Sequence, residues 1–193
     1  MALAGDHVIV KLDDSSGTLR TFANGDIVII ADDTITVQSG NMWPFSAGSN
    51  LAKIQCLLAK LGFNLPAPNN GVYLASFNNA NAWTVEYGIP EKRVTFLNAN
   101  DINGLSTANA ELRIVTVWHE MKGHNQDDQE DGSAFDAKYE APVIAAVAKL
   151  KSQKTPADIC SSCLPKNGTP WAIRNAFDKA MCACEINPPP KKK

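Results

Sequence analysis

The sequence predicts an α+β fold, and two observations carry that prediction. Strand-like apolar runs separated by turn signals fill the first forty residues, and the apolar period changes to a helical one from Ser49 onward. With 193 residues, 45% hydrophobic and 20% charged, the chain has enough apolar material for one domain or two small ones. Four consecutive segments follow: a β-rich N-terminal module over 1–46, a helical module over 47–112, a segment with an HExxxH motif and a helix over 113–151, and a cysteine-containing helical tail over 152–193.

The opening segment reads as a small β-meander. His7 to Leu12 precedes the turn-prone run Asp13 to Gly17, Asp26 to Ile30 follows the turn pair Asn24-Gly25, and Thr34 to Val37 adds a strand. Its open edges would need covering by the rest of the chain or by a partner. His7 opens a strand, where a histidine is ordinarily a polar surface residue. Beyond it, Leu51, Ile54, Leu58 and Leu61 recur at helical spacing, with Ser49 or Asn50 to cap the start and Gly62 to close the end. A further helix runs from Ser106 or Thr107 through Leu112, Val115 and Trp118, although the β-branched run Ile114 to Val117 also suits a strand. Ala141 to Leu150 resumes a helix with Val143, Val147 and Leu150 on one side.

Between these helices lies His119-Glu120-Met121-Lys122-Gly123-His124, which holds two of the chain's three histidines. Zinc takes imidazole and carboxylate donors that converge on one point, and a hydrolytic site leaves one position open for water. His119 and His124 are the candidate ligands, Glu140 the candidate third ligand, and Glu120 the candidate general base. The usual HExxH signature separates its histidines by four residues; here the separation is five, which turns the second ring by roughly 140° on a regular helix. A bulge of the π type would restore a common face, and Gly123 lies where the backbone would distort. The acidic, turn-like stretch Asn125 to Gly132 departs from a calcium loop, with Gln129 and Lys138 at liganding places. It reads as a solvated loop, close enough in sequence to lend an oxygen to the adjacent histidines.

HEMKGH resembles the HExxGH motif of the dipeptidyl peptidase III family of zinc peptidases, over these six residues alone. In that family a downstream acidic helix of EExxxE type supplies a further glutamate; it is missing as such here, and Glu140, with Asp136 one turn before it, is the nearest match. A second resemblance covers roughly 49 to 112. Leu51, Ile54-Gln55, Leu58 and Leu61-Gly62-Phe63, followed by Asn70-Gly71-Val72-Tyr73, are similar to the first helix and loop of the peptidoglycan-binding domain family, which are three-helix modules. Ala82-Trp83, Tyr87-Gly88-Ile89-Pro90 and Gly104 to Thr107 resemble its later parts, whereas Leu74, Phe77 and the long stretch from Glu91 to Asn103 depart from it. That resemblance implies a three-helix module and contact with peptidoglycan.

Five cysteines leave at least one outside any intrachain pair. Cys160, Cys163, Cys182 and Cys184 present either a second metal site, disulfides or free thiols. Thr155-Pro156 and Thr169-Pro170 both read as helix starts, and in such a helical hairpin Cys182 would lie roughly 18 Å from a turn near Cys163, at about 1.5 Å per residue.

A net charge of −2 and the absence of a basic stripe with interleaved aromatics argue against a nucleic-acid surface. No apolar run is long enough for a membrane span, and the N-terminus lacks a signal-peptide pattern, so work outside a cell would imply another route out, such as release by lysis or assembly into a virion. Together the motifs predict a zinc-dependent peptidase acting on peptidoglycan or wall peptides. The alternative is a non-catalytic structural or adaptor subunit of a phage tail or baseplate, partnered by other virion subunits or by copies of itself. A third reading is an intracellular zinc-binding adaptor, with the metal at the cysteines.

Overall fold

The computed structural model describes residues 9–11, 21–30, 33–77, 82–87, 92–160 and 170–187. His7, Cys163 and the loop Gly88-Ile89-Pro90 lie outside them. Strands and helices are both present, as α+β requires: β1 (Ile9–Lys11), β2 (Ile27–Ile30), β3 (Asp33–Val37), α1 (Asn50–Lys60), β4 (Val72–Ser76), β5 (Ala82–Tyr87), β6 (Lys92–Asn98), α2 (Ala99–Asn103) and α3 (Ala110–Trp118) come first. A π-helical segment (His119–Gln126) extends α3, then α4 (Ser133–Phe135), a second π segment (Asp136–Glu140), α5 (Ala141–Ser152), β7 (Lys154–Cys160), β8 (Trp171–Asn175) and α6 (Ala176–Ala183) complete the order. The chain forms two compact units, each from two stretches: 1–44 with 67–102, and 45–66 with 103–193.

The first unit is a mixed sheet in the order β1-β2-β3-β4-β6-β5. β2 and β3 form the expected antiparallel pair, Val28 opposite Ile35, and β3 alternates strictly, with Asp33, Ile35 and Val37 buried and Thr34 exposed. The meander expectation needs correcting, because β1 runs parallel to β2, which an up-and-down chain of strands does not allow. A larger correction concerns the three-helix module. Residues 72 to 76 and 82 to 87, expected as its loop and second helix, are strands flanking β6. Alternation in Trp83, Val85 and Tyr87 and the facing pair Tyr73 and Phe96 bury apolar side chains on a sheet, and this burial outweighs the weak helical pattern. Phe22 meets Tyr73 and Phe96 edge-on, with ring centroids 5.2 and 5.3 Å away.

The second unit is built on helices. Ser49 caps α1 by accepting from the Ala52 amide, and Leu51, Ile54, Leu57 and Leu58 are buried. The helix ends in a Schellman turn: Phe63 N–H donates to Leu58 O and Gly62 N–H to Ala59 O, and Gly62 supplies the positive φ of +93° that the turn demands. α3 packs on α1 and α5. Its β-branched run is helical, because Ala110, Ile114, Val117 and Trp118 then fall on one buried face and tertiary burial overrides propensity.

The tail departs from the expected helical hairpin. Lys154 to Cys160 and Trp171 to Asn175 pair as antiparallel strands, with the register shifting between Lys154 and Asp158, where Pro156 cannot donate to the ladder. Asn175 then caps α6 through the Asp178 amide. Disulfides join Cys160 to Cys182 and Cys56 to Cys184, so these four sulfurs are bonded to one another in pairs and form no thiolate metal site. Residues two apart on a helix do not share a face. Cys182 therefore reaches the hairpin while Cys184, just past the helix end, reaches α1. The disulfide alternative among these cysteines is the one realised, and because the hairpin is a sheet, Cys160 on β7 comes within bonding distance of Cys182 on α6.

Candidate metal centre

The two histidines meet because the backbone changes its hydrogen-bond register. In a π-helix each amide reaches back five residues, so side chains five apart stack on one face. His119 and His124 lie within the π segment that runs from 119 to 126, and their Nε2 atoms are 2.9 Å apart. The same five-residue bonding closes the segment, where Asp127 N–H donates to Lys122 O.

Gly123 serves this arrangement through space. A Cβ at this position would lie 2.2 Å from Cζ of Phe135, so only glycine lets that ring close in. Phe135 in turn stacks on His124 with centroids 4.6 Å apart and planes 20° apart, and contacts His119 at 4.5 Å. An aromatic floor thus holds both imidazoles, leaving each side chain 18% exposed.

Each outer ring nitrogen faces an acceptor. His124 Nδ1 lies 2.5 Å from the backbone carbonyl of Gln129, which can only accept, so Nδ1 carries the hydrogen. His119 Nδ1 lies 2.7 Å from Glu140 Oε1, a carboxylate acceptor placed by the second π segment. With both Nδ1 atoms engaged outward, the two Nε2 atoms face each other. Asp131 Oδ1 approaches both Nε2 atoms at 3.3 Å. Three electron-rich atoms in one small triangle repel unless a cation is shared among them.

A divalent metal fits that demand. Ligands bound to tetrahedral zinc at 2.0–2.1 Å are separated by about 3.3 Å, close to the 2.9, 3.3 and 3.3 Å edges seen here. The carboxylate of Glu120, a buried residue, completes a group with the two histidines in which candidate ligand atoms all lie within 4.8 Å of one another. Of the residues expected from the sequence, His119, Glu120 and His124 come together as a cluster. Glu140 reaches the same histidine on its Nδ1 edge, away from the Nε2 face where a third ligand was expected.

The sequence pattern does not point to Asp131, Gln129 and Phe135 as site residues, although it offers the acidic loop as a source of oxygen. What places that loop is a brace: Lys122 Nζ lies 2.6 Å from Asp127 Oδ1, and Tyr139 OH donates to Oδ2 at 2.8 Å. Burial raises the Asp127 carboxyl, but the hydrogen bonds from Lys122 and Tyr139, with the Lys122 and Lys138 charges, outweigh it and hold the group below its ordinary value. Lys138 is shifted upward, chiefly through its interaction with Tyr139.

Compared with protein-family models, curated proteins and solved structures, the chain matches none.

Proposed function

We propose that this protein is a zinc-dependent hydrolase of peptide bonds. The observation that carries the reading is the convergence of His119 Nε2, His124 Nε2 and Asp131 Oδ1 on one point, with both Nδ1 hydrogens already engaged elsewhere. His119 and His124 would hold the zinc, which supplies a polarised, more acidic water and a Lewis acid for the carbonyl. Glu120 is adjacent to the first histidine and within reach of both, so it takes the proton from the attacking water and returns it to the leaving amine. The outer hydrogen bonds to the Glu140 carboxylate and the Gln129 carbonyl hold the rings in place. With its side chain 75% exposed, Asp131 lies on the open side of the cluster.

Wall peptides are the first substrates to test, since α1 with its Gly62 closure retains the part of the peptidoglycan-binding resemblance that is strongest in sequence. The test is metal content by elemental mass spectrometry, then peptide hydrolysis by wild type and Glu120→Gln. One zinc per chain, lost in His119→Ala/His124→Ala, with hydrolysis lost in Glu120→Gln, is the expected result. Full activity in Glu120→Gln would remove the proposed mechanism.

The rival reading, a non-catalytic structural or adaptor subunit of a virion, is favoured by one observation. Leu112, Ile144 and Ile159 are 57, 44 and 60% exposed, and on this reading other subunits cover them. It predicts metal-free protein that assembles as concentration rises, measured by light scattering. No helix among the described residues is long and apolar enough to cross a membrane.

A further inference from the structure

The acidic loop does two things at once for His124. Its Gln129 carbonyl accepts the Nδ1 hydrogen, and two residues later Asp131 brings Oδ1 to within 3.3 Å of Nε2. The loop therefore wraps the ring from one edge to the other. It is not free to do otherwise: Asp127, Asp128 and Gln129 amides donate back to the carbonyls of Lys122, His124 and Gly123, and Asp128 takes a positive φ of +53° to make the reversal. Lys122 and Tyr139 then clamp the Asp127 side chain from two sides. Glu140 stands differently. Its oxygen is 2.7 Å from Nδ1 of His119, and the two nitrogens of one imidazole point away from each other, so a carboxylate engaged at Nδ1 faces away from the Nε2 cluster.

We infer that Asp131 is the third protein ligand of the metal, and that Glu140 and the Gln129 carbonyl are outer partners that fix the two histidines. This assignment rests on the metal reading of the site and replaces the ligand expected from the motif. It also makes the site a local one, since the ligands and Gln129 fall within thirteen residues, 119 to 131, and only Glu140 comes from beyond. A chelating loop of this kind accounts for the length of the connection after the second histidine: the chain must turn back over His124 before it can start the next helix.

The experiment uses the full chain with zinc and with Co²⁺ as a spectroscopic probe. Zinc affinity is read by competition with a chromogenic chelator, and the ligand set by the visible bands of the Co²⁺ form. Asp131→Ala is expected to weaken zinc binding by at least about 100-fold and to change the Co²⁺ bands, beyond the roughly 10–100-fold loss that an outer partner causes. Its side chain is mostly exposed, so the fold should survive. Glu140→Gln is expected to weaken binding within that lesser range and to keep the bands in place, because the ligand set is unchanged. Wild-type affinity and bands in Asp131→Ala, or loss of the bands in Glu140→Gln, would overturn the assignment while leaving the metal site itself standing. A folded wild type that takes up neither zinc nor Co²⁺ would remove the metal reading, and this assignment with it.

Discussion

The two units solve the problem of stability in different ways. In the sheet unit Phe22, Tyr73 and Phe96 are in mutual contact, Asp33 and Thr95 are buried as well, and the sequence contains no cysteine. The helical unit contains all five cysteines, two disulfides and the buried polar residues Glu120, Asn125 and Asp178. Buried carboxylates and amides cost free energy unless they are satisfied, and that loss falls on both units. Covalent crosslinks offset that loss by restricting the unfolded chain. The difference teaches where the crosslinks fall: the unit that carries both disulfides is the one that carries the histidine cluster.

The comparison can be broken at its strongest point first. Cys56 and Cys184 are separated by 128 residues, a loop for which chain entropy gives about 5 kcal/mol, against about 3 kcal/mol for the 22-residue separation of Cys160 and Cys182. Replacing Cys56 and Cys184 together by alanine should therefore destabilise the helical unit more than replacing the other pair, as read by denaturant midpoints. Hydrogen exchange resolved by peptide should show protection lost in α1 and α6 and retained in β3, β4 and β6; equal loss in both units would mean that they unfold as one. Next in size is Phe96→Ala, which removes a fully buried ring from the core of the sheet unit and should cost about 3–5 kcal/mol. Hydrogen exchange should then accelerate in the strands, the reverse of the disulfide result.

Gly123→Ala sharpens the comparison inside the site. The added Cβ meets Phe135 at well under contact distance, and overpacking of this sort costs about 1–3 kcal/mol. Metal affinity should drop as well, since Phe135 supports both imidazoles; Gly123→Ala combined with Phe135→Leu should recover part of the loss, and additive losses would show that the clash is not the cause. The smallest effect concerns Asp127. Its carboxyl titrates below the ordinary value in the folded protein, so its contribution to stability is present above the unfolded value near 3.8 and is lost as pH falls through the lowered folded one. Asp127→Asn should therefore be less stable than wild type at neutral pH, with the gap closing in strong acid; a constant gap across that window would mean the charge plays no part.

Much of the local structure was legible from the residues. Asn24-Gly25 marked the turn before β2, Ser49 and Gly62 marked the two ends of α1, and Val143 and Val147 marked the buried side of α5. The five-residue spacing of His119 and His124 pointed to π geometry, and a π segment of eight residues spans both. Less legible were the strands of residues 72 to 98 and the hairpin of the tail, where short apolar runs and Thr-Pro pairs fit a helix as well as a strand.

By itself, the sequence determined what depends on neighbours along the chain: the caps of α1, the turn before β2 and the apolar stripes of α1 and α5. Only the tertiary structure decided what depends on residues far apart. It set β1 parallel to β2, chose Cys56 as the partner of Cys184, placed Glu140 on the outer edge of His119, and brought Phe135 against Gly123. The physical reason is that propensity and periodicity are fractions of a kcal/mol per residue, whereas strand pairing, disulfide partners and the face of a ring are selected by burial summed over the whole unit.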